Sequence, residues 1–490
     1  MTIELPILIT FVGYLIITML IGVIAYRATS SLSDYILGGR RLGPGVAALS
    51  VGASDMSGWL LLGLPGAVYL YGISQAWIGI GLVIGAWLNW LFVAKRLRVY
   101  TEQANDSLTL PDFLENRLAD RSGLIRVISA FTILVFFAFY TASGLVAGAI
   151  LFEKVFALPY LTALLIGGGV IMLYTFAGGF LAVSWTDFFQ GILMLLALIV
   201  VPWVVMNELG GINETLATLD NMSADKLDFF HDFSLISGLS LLAWGLGYFG
   251  QPHILARFMA IDSPKSVPLS RRIAMSWMIL SLIGSVGVGL AGAVYFADAP
   301  LENSETVFLA LANAVFNPWV AGLLIAAIMS AIMSTIDSQL LVCSSAITED
   351  FYKRWLRPHA PENELVWVGR FAVVLVAICS MVIALNPESS VLDLVSYAWA
   401  GFGGAFGPVI IIALSWSRLT RNGALSGIVL GALTVIGWKQ LSGGPFGIFD
   451  LYEIVPGFVI CTLACIVISR LGTPPSKEVV LGFRRMESEL

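Results

Sequence analysis

The 490-residue chain predicts an all-α polytopic membrane protein of thirteen transmembrane helices, with its N-terminus outside and its C-terminus inside. Three observations predict it. Hydrophobic residues make up 58% of the chain and charged residues only 12%, about half the charged share of an ordinary soluble domain. Apolar runs of about 20 residues, the length that crosses a bilayer as a helix, recur from residue 6 to residue 471 with short polar breaks. Finally, 23 of the 26 lysines and arginines fall in alternate loops, the bias that marks the inner side of a membrane protein.

The predicted spans are 6–26, 43–71, 76–97, 125–151, 160–182, 186–207, 233–255, 273–296, 318–345, 366–385, 391–416, 422–440 and 450–470. An odd count puts the two termini on opposite sides. The inner loops then hold, among others, Arg27, Arg40, Arg41, Arg117, Arg126, Arg257, Arg272, Lys353 and Arg354, leaving only Lys154, Lys226 and Lys439 outside. The outer loop 208–232 agrees, with Glu208, Glu214, Asp220, Asp225, Asp228 and Asp232 against one lysine. The first span follows Glu4 rather than a basic segment and lacks a small-x-small cleavage site, so it is expected to stay in the mature protein. The net charge of −6 carries little information about partners, because the charges sit in loops read by side.

Several function classes lose support. Three histidines, with no HExxH and no CxxC, disfavour a transition-metal centre. Cys343, Cys379, Cys461 and Cys465 all fall in or beside predicted spans, where packing is their expected role. No GxxxxGK[ST] loop marks a nucleotide site. The tail 471–490 is too short for a signalling domain. The chain reads as a non-enzymatic carrier in one transmembrane domain.

Two interruptions carry the functional reading. A membrane helix gives up backbone hydrogen bonds only where protein or a water-filled cavity replaces them. Gly52-Ala53-Ser54-Asp55-Met56-Ser57-Gly58 interrupts the second span, and Trp244-Gly245-Leu246-Gly247-Tyr248-Phe249-Gly250-Gln251-Pro252 the seventh. They lie five spans apart, so units 43–207 and 233–416 would have opposite orientations, each opened by a broken helix, with 6–26 and 422–470 outside the repeat. Inverted repeats whose discontinuous helices meet near the midplane are an architecture of ion-coupled transporters. The alternative is that the small residues only permit close helix packing.

Asp55 sharpens the first reading, because a carboxylate at mid-bilayer costs roughly 2.5–3.5 kcal/mol even on the lenient insertion scale. It calls for a cation or a proton, or else caps the broken helix through backbone N–H groups. On the ninth span Ala331, Ser334 and Thr335 share a face by the i, i+3, i+4 rule. One carbonyl and two hydroxyls suit a small hard cation, and carbonyls freed near Ala53 and Met56 would complete the shell. Hydroxyls bonded back to their own helix are the competing account.

Four strings, GASDMSGWLLLGLPGA (52–67), TFAGGFLAVSWTDFFQG (175–191), WGLGYFGQPHILARFMA (244–260) and MSTIDSQLLVCSSAITEDFY (333–352), resemble the proline-carrying members of the solute:sodium symporter family, as does ELVWVGR at 364–370. The resemblance runs from about residue 6 to residue 470. It implies a five-plus-five inverted repeat, a bacterial inner-membrane location, Na+ as coupling ion and L-proline as solute; no obligate protein partner is evident in the sequence. It also implies an Na+ site at Ala53, Met56, Ala331, Ser334 and Thr335, a coupling role for Asp55 and Ser57, and a proline pocket at Trp59, Tyr140, Trp244, Tyr248, Gln251 and Pro252. Aromatic walls suit a compact pyrrolidine ring, although Trp and Tyr also serve as interface anchors.

Asp337 departs from the family pattern, standing where a small hydroxyl residue is often found. A second cation or a proton held by Asp187, Ser334, Asp337 and Ser338 is one expectation. The alternative has Asp187 capping the sixth span and Asp337 paired with an inner-side arginine. His253 is expected to be an ordinary hydrogen-bonding residue.

Overall fold

The computed structural model describes residues 5–26, 31–177, 179–231, 233–386 and 390–490; Arg27 and Asp232 of the charge count lie outside them. Among the described residues the regular structure is helical, with one isolated bridge between Leu42 and Ile261. Among the described residues nine helices are long and apolar enough to cross a membrane, or ten if the bent pair Pro44–Asp55 and Gly58–Tyr71 counts as one span. The predicted spans 160–182, 233–255 and 422–440 fall on shorter or less apolar helical segments, beginning with Tyr160–Ala177, Leu235–Leu242 and Arg421–Trp438 respectively. Large apolar side chains such as Ile16, Ile24, Trp203 and Leu433 are exposed along the outside. An apolar exterior of that extent needs lipid or another apolar partner.

At the centre stands the Pro318–Ser345 helix, started by Asn317, whose side chain accepts the Trp319 and Val320 N–H groups. From Leu324 to Leu341 every residue is buried. Hydroxyl and carboxyl groups there therefore face protein, which is how a membrane helix tolerates them.

Both interruptions are real breaks. The Pro44–Asp55 helix, with proline at its first position, ends at Asp55, and the chain resumes at an angle of 74°. Ser57 N–H turns back to the Asp55 carbonyl at 2.9 Å, two residues away, instead of continuing the helical ladder. In the second break the Leu235–Leu242 helix tightens into a 3₁₀ stretch, Ala243–Gly250, and restarts as Pro252–Ala260. Proline has no N–H to leave unpaired at that restart.

Close backbone approach explains two glycines of the 3₁₀ stretch, Gly245 and Gly250, while Gly247 makes room for the Trp399 indole. A Cβ on Gly245 would strike the carbonyl of Gly81, one on Gly85 would strike Gly245, and one on Gly250 would strike the carbonyl of Phe402. Small residues let membrane helices touch backbone to backbone. The two broken elements are also clipped together at their basic-rich ends: Leu42 N–H donates to Ala260 O at 3.1 Å, and Asp262 N–H to Leu42 O at 3.0 Å. Arg40 reinforces the clip through Met259 O at 2.7 Å.

Candidate ion and solute site

The first break meets the central helix at Ala53. Its carbonyl accepts the Ser334 hydroxyl at 2.8 Å and the Thr335 hydroxyl at 3.5 Å. Ser334 also donates to Ala331 O in its own helix at 3.2 Å. Back-bonding thus accounts for only part of what these hydroxyls do, and the stronger contact crosses between helices. Four of the five expected ligands, Ala53, Ala331, Ser334 and Thr335, are gathered by these bonds. Met56 is buried at the break with its N–H held by Gly52 O at 2.9 Å, and the bonds that gather the other four do not include it.

Asp55 is buried, and its carboxylate accepts the Tyr248 hydroxyl, which joins the first break to the second. Its partner is a phenol from the opposite break, so the expected capping role is not what the side chain does. The Tyr140 hydroxyl donates to the main-chain carbonyl of Asp55 at 3.2 Å. Ser57 starts the short 3₁₀ turn Gly58–Leu60, its hydroxyl accepting Trp59 N–H at 3.4 Å. One residue after Ser57 the chain has left its first helix for its second.

Aromatic rings lie beside this cluster of oxygens. Trp59 and Trp244, from different breaks, have ring centroids 6.2 Å apart, and Tyr248 meets Trp399 edge-on at 5.1 Å. Trp399 donates its indole N–H to Trp244 O at 2.7 Å, while Gln251 donates to Trp399 O at 3.4 Å. The Gln251 side-chain oxygen is buried without a hydrogen-bond partner among the described residues. Four of the six expected pocket residues are thereby joined directly or through Trp399, and Tyr140 reaches Tyr248 through Asp55. Pro252 is set apart: it lines a narrow cleft with Arg257, Ser338, Thr109 and Asp350.

Arg257 and Asp187 both stand elsewhere than the sequence predicts. Arg257, assigned to an inner loop, is only 1% exposed and sits within the Pro252–Ala260 helix. Its guanidinium contacts Asp187 at 3.0 Å, Ser338 at 2.5 Å and Ser50 at 2.7 Å. Asp187 is the eighth residue of Phe180–Glu208 rather than its cap, and the arginine expected beside Asp337 stands on Asp187 instead. Counting charges along the chain cannot see this, because a buried pair is invisible to a rule about loops.

Asp337 accepts the Thr175 hydroxyl, and its second oxygen is buried without a hydrogen-bond partner among the described residues. Ser338 donates to Ser334 O at 2.7 Å, so the Arg257 group is connected to the oxygens around Ala53. His253 is also corrected: both ring nitrogens lack hydrogen-bond partners among the described residues, and the ring packs edge-on to Phe137 and Tyr140. Ser50, Trp399 and Tyr452 were missed by sequence reasoning. Trp399 carried a faint signal, since it immediately precedes the glycine-rich stretch AGFGGAFGP of its span.

A buried cluster of hydroxyl and carbonyl oxygens beside an aromatic enclosure can hold a dehydrated monovalent cation and a compact organic molecule as neighbours. Comparison with known proteins gives the same class. Residues 35–431 match the Sodium:solute symporter family. The chain is 56% identical to the sodium/proline symporter of Escherichia coli (strain K12), the match covering 100% of this chain and 97% of that one. It is 52% identical to a high-affinity proline transporter of Bacillus subtilis (strain 168), over 95% of this chain and 98% of the relative. Among solved structures, an outward-open, substrate-bound Na+-coupled sialic acid symporter has the same fold: TM-score 0.82 at 20% identity, covering 97% of this chain and 100% of that one. A nucleobase-cation-symport-1 family transporter is a more distant fold neighbour, with TM-score 0.58 at 13% identity, covering 94% of this chain and 99% of that one. With most of its length matched and close relatives aligned end to end, the chain belongs to the sodium:solute symporter family.

Proposed function

We propose that this protein carries L-proline into the bacterial cell together with Na+, across the inner membrane, by alternating access. It is a transporter and not an enzyme, and both Na+ and proline are cargo. One observation carries the reading: the Ala53 carbonyl at a helix break faces the hydroxyls of Ser334 and Thr335. Beside that contact lies the aromatic enclosure, and the family and the full-length proline-carrying relatives supply the solute.

In this reading Na+ is held by Ala53, Met56, Ala331, Ser334 and Thr335. Its arrival replaces hydroxyl-to-carbonyl hydrogen bonds with ion contacts and fixes the break. Asp55 and Ser57 transmit that order, because Asp55 is bonded to Tyr248 across the two breaks. Trp59, Tyr140, Trp244, Tyr248 and Gln251 enclose proline, and Pro252 shapes the cleft below. Ion and solute then share a coupling free energy. The membrane potential adds about 2.3 kcal/mol per charge per 100 mV to the sodium gradient.

The topology that fits is thirteen spans, N-terminus outside, with inverted units 43–207 and 233–416, an extra first span, two C-terminal spans at 422–470 and a cytoplasmic tail from 471. Asp187, Ser338 and Asp337 would form a second cation or proton site on the inward path. Arg257 already brings a positive charge to Asp187 and Ser338, which favours Asp337 as the group left to take one.

The test is a sodium jump imposed on proteoliposomes containing only this protein and labelled L-proline. Uptake above the equilibrium level is expected with Na+ and not with choline. Equal proline binding by the purified protein in both media would overturn coupling. Uptake of another solute in preference to proline would overturn the substrate alone. Reversal potentials give the ion count, and a one-to-one ratio at every pH would remove the second site.

A further inference from the structure

Trp244 meets a second ring besides Trp59. Tyr452 is stacked on it, with centroids 5.5 Å apart and planes at 29°. Tyr452 lies two residues ahead of the Ile454–Leu471 helix, beyond the proposed inverted units 43–207 and 233–416. It is tied down on three sides. Its hydroxyl donates to Ser396 O at 2.6 Å, its N–H to the Ser240 hydroxyl at 3.0 Å, and the preceding Leu451 carbonyl accepts the Trp438 indole at 3.0 Å.

The bond from Trp399 holds the Trp244 main chain but leaves its side-chain torsions free. The plane of the Trp244 ring is therefore set by its ring neighbours. Trp59 belongs to the first broken span, the one that takes the ion in the proposed function, whereas Tyr452 is anchored outside it, through Ser396, through Ser240 ahead of the second break and through the Trp438 bond to Leu451. We propose that Tyr452 is a positioning residue for the solute, fixing the Trp244 plane against which the pyrrolidine ring packs. This rests on the reading of Trp244 as a pocket wall. A tyrosine at the edge of an apolar run is ordinarily an interface anchor, but an anchor needs neither a stacked tryptophan nor burial to 9% exposure.

The test is proline uptake kinetics in proteoliposomes for Y452A, Y452F, W244A and the double variant W244A/Y452A. A stacked aromatic pair is worth enough to change affinity about threefold to tenfold. Y452A should raise the KM for L-proline by that factor with the maximal rate per molecule within about twofold. Y452F keeps the ring and should restore the KM, and the double variant should be no weaker than W244A. An unchanged KM in Y452A beside a raised KM in W244A would overturn the positioning role and leave the pocket intact. An unchanged KM in W244A would overturn the pocket reading and this role with it. Independent, multiplying effects in the double variant would also overturn the role. If Y452A fails to reach the membrane, Y452L keeps bulk without an aromatic face, and the same outcomes are read on it.

Discussion

Ser334 donates its hydroxyl to the Ala53 carbonyl at 2.8 Å, tying the middle of an unbroken helix to the point where another comes apart. If that oxygen pair belongs to the ion shell, Ser334→Ala removes a ligand without opening a cavity larger than one atom. The sodium concentration for half-maximal uptake should rise about tenfold or more, the effect of losing about 1.4 kcal/mol of ion binding. Delivery to the membrane should change little. Uptake measured across a sodium series checks it, and an unchanged sodium dependence would remove Ser334 from the site.

Asp55 and Tyr248 make the second join between the breaks. Tyr248→Phe keeps the ring and leaves a buried carboxylate without its donor, a loss of about 1–3 kcal/mol. Thermal unfolding in detergent should move down accordingly, and initial proline uptake should fall. Adding Asp55→Asn to Tyr248→Phe should restore part of the stability, since an amide tolerates the missing donor better than a charge, but not the uptake. Full recovery of uptake in the double variant would mean that Asp55 is structural only.

Gly85 touches the backbone of Gly245, leaving no room for a side chain, whereas Gly437 has nothing within 4 Å of a Cβ position. Gly85→Val should abolish folded protein in the membrane. Gly437→Ala, in the Arg421–Trp438 helix, should be neutral or stabilise by up to about 1 kcal/mol through the lower entropy of the unfolded chain. Fluorescence-detected size exclusion of the two variants separates the cases.

The two breaks were legible because glycine, serine, aspartate and proline clustered inside an apolar run weaken a membrane helix unless it ends there. The hydroxyls at 334 and 335 were legible because helical spacing puts them on one face. The Trp59–Trp244–Tyr452 series of rings was not legible. Its members lie nearly four hundred residues apart, and a tyrosine at the start of the last span looks like any interface anchor. Arg257 was misread for a related reason: sign counting treats each basic residue as a loop marker, while its partner Asp187 is 70 positions away in sequence. Local pattern identifies where a helix fails; which side chains come to that failure is settled by packing.

Arg126 illustrates the same limit and gives the last prediction. It stands among four carboxylates, with Asp350 at 2.7 Å, Glu115 at 2.9 Å, Asp112 at 3.1 Å and Glu349 at 3.3 Å, and it joins the foot of the Leu124–Phe156 helix to the Leu110–Arg117 helix and to the Ala346–Leu356 segment that continues the central helix. Arg126→Gln strands those charges in a buried place and should destabilise the protein by about 3–5 kcal/mol. Burial already holds the Asp112 carboxyl above its ordinary value with the guanidinium beside it, and without Arg126 it must rise further. An acid whose pKa is raised on folding is favoured while protonated, and that favour is lost as pH climbs from the ordinary carboxyl range through the raised value. The unfolding temperature of Arg126→Gln should therefore rise as pH is lowered from about 8 toward about 5, and more steeply than that of the parent protein, in which the guanidinium holds part of that rise down. A variant whose stability fell in parallel with the parent's on acidification would show that the cluster does not depend on Arg126 for its charge balance.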